Sequence, residues 1–433
     1  MVTLDNIVSL CKRRGFVFQS AEIYGGLNGV YDFGPLGVLL KQNLKNAWLN
    51  HMVKSPFEVV FFDGAILGHE MTWTASGHVS NFSDPLVDCK NCKKRYRADD
   101  DDYSPEKPCK HCGVKNWTEE RTFNLMFQTN MGAMTGDSIA YLRPETAQAV
   151  FVNFKNVMTS SRVSLPFGIA QIGKAFRNEI TPKQFLFRVR EFEQMELEFF
   201  CHPDTSKDFF TKWCEIRTDF YKSIGLDMSR IRQRPHASDE LAHYSQACVD
   251  VEYEFPFGFK ELEGIAHRGD FDLRQHSTFS KKDLSVFDQA TGTSFIPHVV
   301  ECSVGVDRLF LTTLFNAYKE DVVDGEARLY LDFAPHIAPI RCAVLPLTKH
   351  QGEIAEKVYR DVKARFGYVQ YDDGASIGKR YRRQDEIGTP FCVTIDYQTA
   401  EDNAVTVRDR NSAQQERVSL DGLLEYLAKK LGQ

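Results

Sequence analysis

One stretch constrains this chain more than any other. It reads Phe176-Arg177-Asn178-Glu179-Ile180, then turn formers at Thr181, Pro182 and Lys183, then Phe187-Arg188-Val189-Arg190-Glu191-Phe192-Glu193-Gln194-Met195-Glu196-Leu197-Glu198-Phe199-Phe200. Apolar residues alternate on both sides of the breakers, which predicts a β-hairpin with two amphipathic arms. Residues two apart share a face of a strand. Arg177 and Glu179 then point one way on the first arm, and Arg188, Arg190, Phe192, Glu196 and Glu198 do so on the second. Such a face suits a ligand: guanidinium pairs with phosphate, a ring stacks on a base, and carboxylates hold an ammonium or Mg²⁺. The alternative is a solvated strand laced with salt bridges.

The chain has 433 residues, enough for two or three domains and a large core. No apolar run approaches the ~20 residues of a membrane span. Lys12, Arg13 and Arg14 are followed by no apolar leader core, so no secretory signal is expected. The eleven cysteines are scattered except for one cluster, which argues against a disulfide framework and for a reducing, cytoplasmic setting. A net charge of −6 excludes a uniformly basic nucleic-acid coat but allows a local basic patch.

The cysteine cluster is Cys89-x-x-Cys92 and Cys109-x-x-Cys112, with residues 93–108 between the pairs. Four thiolates at this spacing can close a tetrahedron around Zn²⁺ with no open position, so a structural site is expected; His111 is an alternative ligand. Asp5 to Gly15 reads as a short helix ended by glycine, and Val38 to Val53 as an amphipathic helix with Leu40, Leu44, Trp48 and Met52 on one stripe. The glycines from Gly25 to Gly37 lack the spacing and the surrounding strand–helix–strand unit of a dinucleotide site. Gly168 to Ala175 nearly spells a phosphate-binding loop, but Ala175 replaces the metal-binding hydroxyl and the run continues into a strand. Beyond Phe333 to Pro339, strands and helices alternate, which predicts an α/β unit with parallel pairing. Lys379, Arg380, Arg382 and Arg383 around Tyr381 suit a phosphate-and-stacking patch, or a solvated helix face.

Phe-Arg-x-Glu at 176–179, followed by Arg188, Phe192 and Glu196, resembles motif 2 of the class II aminoacyl-tRNA synthetases, and the full string resembles the homodimeric glycyl type. The helix Val38 to Val53 with the strand Glu58 to Phe62 after it is similar to motif 1, and Glu301-Cys302-Ser303-Val304-Gly305-Val306-Asp307-Arg308 to motif 3, with Cys302 where the family usually has proline. Ala75 to His78, Arg95-Tyr96-Arg97, Arg143-Pro144-Glu145-Thr146-Ala147-Gln148 and Glu261-Leu262 match further segments; Ala149, Lys260 and Glu263 depart from the usual residues. His78 carries little weight on sequence alone, and Glu145 would also suit a helix start.

The resemblance implies an α+β fold: a class II antiparallel-sheet catalytic domain over 1–334, with a zinc-binding insertion at 86–120 and a helical segment at 203–250, then an α/β anticodon-binding domain over 335–433. It implies ATP-dependent activation of glycine and its transfer to tRNA(Gly), with Mg²⁺ and structural Zn²⁺. It implies a homodimer built on the motif 1 helix and strand, with Trp48 as a buried anchor. Arg177, Glu179 and Arg308 would be catalytic. ATP would meet these with Asn178, Phe187, Arg188, Val189, Arg190, Glu191, Phe192, Glu261, Leu262, Gly305, Val306 and Asp307, and Glu261 would hold magnesium. Glycine would meet Arg97, Glu145, Phe192, Glu193, Gln194, Met195, Glu196, Glu301, Cys302, Ser303, Val304 and Gly305. Two other readings stand beside this: a non-catalytic nucleic-acid-binding relative, against which the retained Arg177, Glu179 and Arg308 speak, and a relative that adenylates a small molecule without charging tRNA, against which the C-terminal unit speaks.

Overall fold

The strands flanking the expected turn pair with each other near one side of the largest sheet. The computed structural model describes residues 2–432 apart from 101, 134–137, 243, 290 and 324. Seven strands make that sheet: β1 (Glu58–Phe61), β2 (Phe167–Phe176), β3 (Glu191–Cys201), β4 (Ile231–Pro235), β5 (Ala247–Phe255), β6 (Gly258–Gly269) and β7 (His298–Gly305), in the order β4-β5-β6-β7-β3-β2-β1. Every pairing is antiparallel except β1 with β2.

The two arms are shorter than the alternation suggested. Arg177 N–H donates to Arg190 O at 2.9 Å, but there the ladder stops. Pro182 has no N–H to give, and Gln184 and Phe185 take positive φ around a single 3₁₀ turn, Phe185–Phe187. Arg177, Glu179, Arg188 and Arg190 therefore stand in a loop over residues 177–190, and strand alternation does not set their directions.

One sheet face carries the main core. Helices α1 (Leu4–Arg14), α2 (Pro35–Val53), α3 (Ala147–Ser161), α4 (Ser206–Ser223), α5 (Phe271–Ser280) and α6 (Val306–Ala317) surround the sheet. Leu40, Leu44, Trp48, Trp213, Phe220 and Leu309 join Met195, Leu197, Phe199, Cys302 and Val304 in one cluster with essentially no exposure. Trp48 is thus consumed by the chain's own core; it anchors α2 to the sheet and offers nothing to a partner, contrary to the expectation. The helix exposes Val38 and Val53 instead. A smaller cluster packs Val150, Phe151 and Phe154 of α3 on Ile169 and Phe200. Gly168 to Ala175 lies within β2 and forms no loop.

The C-terminal sheet is mixed, not parallel throughout. β8 (Cys342–Pro346) lies between β9 (Val369–Tyr371) and β10 (Phe391–Ile395), parallel to both, and β11 (Ala404–Asp409) and β12 (Gln415–Ser419) continue antiparallel. The links before β11 and β12 are too short for a parallel crossover, whereas α7 (Gly352–Phe366) and α8 (Ile377–Ile387) supply two crossovers. A final helix, α9 (Leu423–Leu431), closes the unit's own core with Val358, Val393 and Val405.

α8 corrects the reading of the basic string. Arg380 is buried and donates to Pro346, Leu347 and Asp372 carbonyls. Arg383 grips Asp372, and Arg382 pairs with Glu326. Of the four, Lys379 and Arg382 are exposed. An amphipathic helix must bury one face, and here arginine caps the ends of buried strands. Among the described residues no helix is long and apolar enough to cross a membrane.

Candidate active site

The sheet's second face is polar, and the period of two explains how. From β3 it presents Phe192, Gln194 and Glu196, from β6 Glu261, Gly264 and Ala266, and from β7 Glu301, Ser303 and Gly305. Glu196 lies opposite Ser303, and Ser303 opposite Gly264. The loop 177–190, α6 and the segment after β4 wall this floor into a cavity of about 350 Å³, of the size that takes small ligands.

One end is cationic. Arg308 sits in the first turn of α6, where the helix dipole favours an anion. Its guanidinium lies 3.0 Å from a Glu261 carboxylate oxygen, donates to Phe187 O at 3.2 Å, and stands 4.5 Å from the Phe187 ring. Arg308, aided by Arg177, holds the Glu261 carboxyl below its ordinary range. Arg177 donates to Pro144 O at 3.1 Å, and its guanidinium stands 5.3 Å from the rings of both Phe82 and Phe192. Among the described residues Arg177 has no salt bridge, so its charge is open to an incoming anion. Glu179 is buried and one of its carboxylate oxygens has no partner.

The other end is acidic and dense. Glu145 lies 3.3 Å from His78 Nε2 and accepts from Gln148 at 3.1 Å. Glu196 accepts from Ser303 at 2.7 Å, from Gln194 at 3.2 Å and from Thr146. Arg268, itself buried, holds Asp272 through two bonds of 2.7 and 2.8 Å and also binds Glu301. Burial pushes Glu196 up, and Glu145 adds to the rise. Burial also raises Glu301, to about 7, with Arg268 opposing and Glu196 and Glu145 adding. Burial raises Glu145 too, but His78 and Arg268 outweigh it and hold this carboxyl below its ordinary range. Glu198, two residues beyond Glu196 on the same strand face and opposite Glu301, has neither oxygen paired and is pushed well up by burial and by Glu301.

Several expected residues lie elsewhere. Met195, Cys302, Val304 and Val306 point into the apolar core, because they fall on odd steps of the alternation or on the buried side of α6. Glu193 leaves by the same rule to meet Lys41 at 2.9 Å and Lys45 at 3.1 Å, and Glu191 meets Lys174. Arg190 stitches the loop, donating to Glu179 O and Asn28 O, and Asn178 N–H donates to Leu125 O. Arg97 does not line the cavity: Asp84 at 2.8 Å and Asp99 at 2.7 Å hold it. The sequence reading missed Thr146, Gln148, Arg268 and Asp272, and gave His78 too little weight. Arg268 was within reach, since it continues the two-residue step from Gly264 and Ala266.

The cysteine cluster belongs to the insertion whose Asp100 contacts the cavity loop at Lys183. Strand Ser83–Asp88 pairs with Arg95–Arg97 and Arg121–Asn124, and the turns beyond bring four Sγ atoms within 4.8 Å of one another. Cys89 and Cys112 sulfurs are 3.6 Å apart, and those of Cys92 and Cys109 3.7 Å. A zinc–sulfur length of about 2.3 Å gives a tetrahedral edge of about 3.8 Å, so the donor set fits Zn²⁺. His111 is exposed and outside the cluster. Of the aspartates near it, Asp101 lies outside the described residues, and Asp100 binds Lys183 of the cavity loop at 2.6 Å.

With this geometry in hand, comparison places the chain among known proteins. Residues 134–317 match the tRNA synthetase class II core domain (G, H, P, S and T), and residues 341–430 the anticodon binding domain. The chain is 51% identical to the glycine–tRNA ligase of Caldanaerobacter subterraneus subsp. tengcongensis, covering 99% of each. It is 50% identical to that of Borreliella burgdorferi strain B31, covering 100% of this chain and 98% of the relative. It is 49% identical to that of Clostridium acetobutylicum, covering 99% of both.

The acid cluster sets a pH dependence. A carboxyl raised by folding contributes stability that is full below its unfolded pKa and is lost as pH climbs through the folded one. For Glu301 that window runs from 4.5 to about 7. Stability should fall across it by on the order of 3 kcal/mol, with Glu196 and Glu198 acting in the same direction. Glu301→Gln should reduce the fall. Urea midpoints measured across this pH range check it, and an unchanged slope removes Glu301 as a source.

Proposed function

The chain belongs to the glycine–tRNA ligases of the class II synthetases, and from that premise we propose how its own residues divide the reaction. The observation that carries the reading is the polarity of the cavity: a guanidinium without an ion-pair partner and a helix N-terminus at one end, a buried acid cluster at the other. ATP lies at the cationic end and glycine at the acidic end. The glycine carboxylate attacks the α-phosphorus, the bond to pyrophosphate breaks, and the terminal ribose hydroxyl of tRNA(Gly) then displaces the nucleotide.

Arg177 grips the α-phosphate, and Phe192 presents its ring to adenine beside that guanidinium. Arg308 meets the terminal phosphates. Glu261, kept ionised by Arg308 and half exposed to the cavity, would hold Mg²⁺ together with the phosphates. The metal supplies charge neutralisation on the phosphates. Nothing covalent is asked of the protein; positioning and electrostatic complementarity carry the step. Glu179, Arg188, Val189, Leu262, Gly305 and Asp307 line the nucleotide's surroundings.

At the acidic end Glu145 and Glu301 receive the ammonium, with Gln194, Glu196 and Ser303 closing the space where a β-carbon would lie. Adding contacts to one methylene is worth only about 1–3 kcal/mol, so selection for glycine must come from exclusion. Residues 1–334 form the catalytic domain, with the zinc insertion at 86–120, and 335–433 the anticodon-binding domain. The chain works as a homodimer in the cytoplasm. Exposed Val38 and Val53 on α2 and Phe61 on β1 support the dimer, and the unpaired cysteines suit a reducing compartment. Sedimentation at assay concentration should give a dimer; a fully active monomer refutes it.

Arg177→Ala should lower glycine-dependent pyrophosphate exchange by about 10²–10³-fold with the fold intact, the loss typical of a charge-stabilising donor. Near-normal exchange would remove Arg177 from the mechanism. Glu145→Gln should raise the KM for glycine sharply and leave that for ATP nearly unchanged; equal loss for both would make Glu145 a structural group. Metal analysis should find one tightly held zinc per chain at Cys89, Cys92, Cys109 and Cys112. A zinc-free, fully active preparation contradicts this.

A further inference from the structure

The wall of the cavity carries a donor set that the reaction above does not use. β4 ends at Pro235 and delivers His236, while β5 presents Cys248 and Asp250 opposite Ala266 and Gly264 of β6. The His236 backbone N–H donates to the Cys248 backbone O at 2.9 Å, which sets the two residues side by side. One nitrogen, one sulfur and one carboxylate oxygen of this trio lie within 4.8 Å of one another. His236 Nε2 is 2.9 Å from Asp250 Oδ2.

We propose that His236, Cys248 and Asp250 form a second zinc site, separate from the four-cysteine cluster, and that the ion bound there obstructs the nucleotide end of the cavity. The obstruction rests on the placement of ATP given above; the metal site does not. Imidazole, thiolate and one carboxylate suit Zn²⁺ and disfavour Mg²⁺, which takes oxygen donors. Three protein donors leave a fourth position open, as in zinc sites that accept an exogenous ligand. The three donors line the same cavity as Glu261 and Arg308. Tetrahedral edges for such ligands are about 3.3–3.7 Å, so modest side-chain rotation closes the trio. On binding, the Cys248 thiol releases its proton to water. Asp250 gives up its contact with Arg234 at 3.0 Å, and Arg234 keeps Glu240 and Glu252, each at 3.0 Å.

The test counts ions in the full-length protein and in Cys248→Ser and His236→Ala after equilibration with excess Zn²⁺ and gel filtration. The unmodified chain should carry one more zinc than either variant, whatever the four-cysteine cluster holds. With Co²⁺, the extra equivalent should add a thiolate-to-cobalt charge-transfer band that Cys248→Ser lacks. Zinc should inhibit pyrophosphate exchange, and Cys248→Ser should need at least about tenfold more for the same inhibition. Equal ion counts in all three proteins overturn the site. An extra ion that leaves exchange untouched overturns the obstruction.

Discussion

The Arg268 guanidinium is the interaction on which the acidic end depends. It is buried, it holds Asp272 by a two-bond clamp, and it reaches Glu301. Without it, Glu145, Glu196, Glu198 and Glu301 would share one dry region with only His78 and neutral donors, and like charges in such a place drive each other to protonate. Arg268 keeps part of that charge in the folded chain. Tyr244, with its ring 3.9 Å from the guanidinium, covers it from the cavity side. Asp272 passes the arrangement on through Gln148, which bonds Asp272 at 3.0 Å, Glu145 at 3.1 Å and His276 at 2.8 Å. The acid assigned to the ammonium is thus held by a chain of side chains reaching from β6 through α5 to α3.

The same logic positions the peptide that carries Glu145. Arg143 is buried and donates to Gly64 O at 2.7 Å and Lys174 O at 2.6 Å, so the backbone around Pro144 is tied to β2. Gly173 makes room for this: a Cβ there would stand 2.1 Å from the Arg143 guanidinium. Phe176 N–H, donating to Arg143 O at 2.9 Å, completes the tie. The glycine in an otherwise near-phosphate-loop string is explained by an arginine, not by a phosphate.

What the sequence made legible follows from period and spacing. Alternation identified the strand over 191–201 and paired cysteines a sulfur cluster, because both are local patterns, whereas the strand over 298–305 was legible only through its resemblance to motif 3. Alternation also held the information that Glu193, Met195, Cys302 and Val304 face away from Glu196 and Ser303. Taking contiguous motif residues as one site lost that information. The partners of Glu145 were not legible, since His78 and Arg268 come from distant segments that only the tertiary fold joins. Nor was the fate of Arg380: a basic helix face reads alike whether its arginine meets solvent or a buried carbonyl.

The cysteine insertion shows how far a local device can act. Its hairpin ends in Asp100, which takes Lys183 at 2.6 and 2.7 Å and stands 3.8 Å from Arg188. Both partners belong to the loop 177–190, the part of the cavity that no strand ladder holds. Arg97 and Asp84, paired at 2.8 Å, lie close enough to feel the charge of the buried Glu179. Four thiols alone are a weak scaffold: the buried apolar cluster around them, among the described residues, is small, made of Val87, Cys89, Tyr96 and Cys109. A small unit of this kind gains most of its rigidity from a metal. A structural ion in the insertion would therefore fix Asp100, Asp100 would fix Lys183 and Arg188, and the loop would hold Arg177 in place over Phe192. On this account the insertion influences phosphate binding through the loop, with no cysteine and no Arg97 touching the substrate.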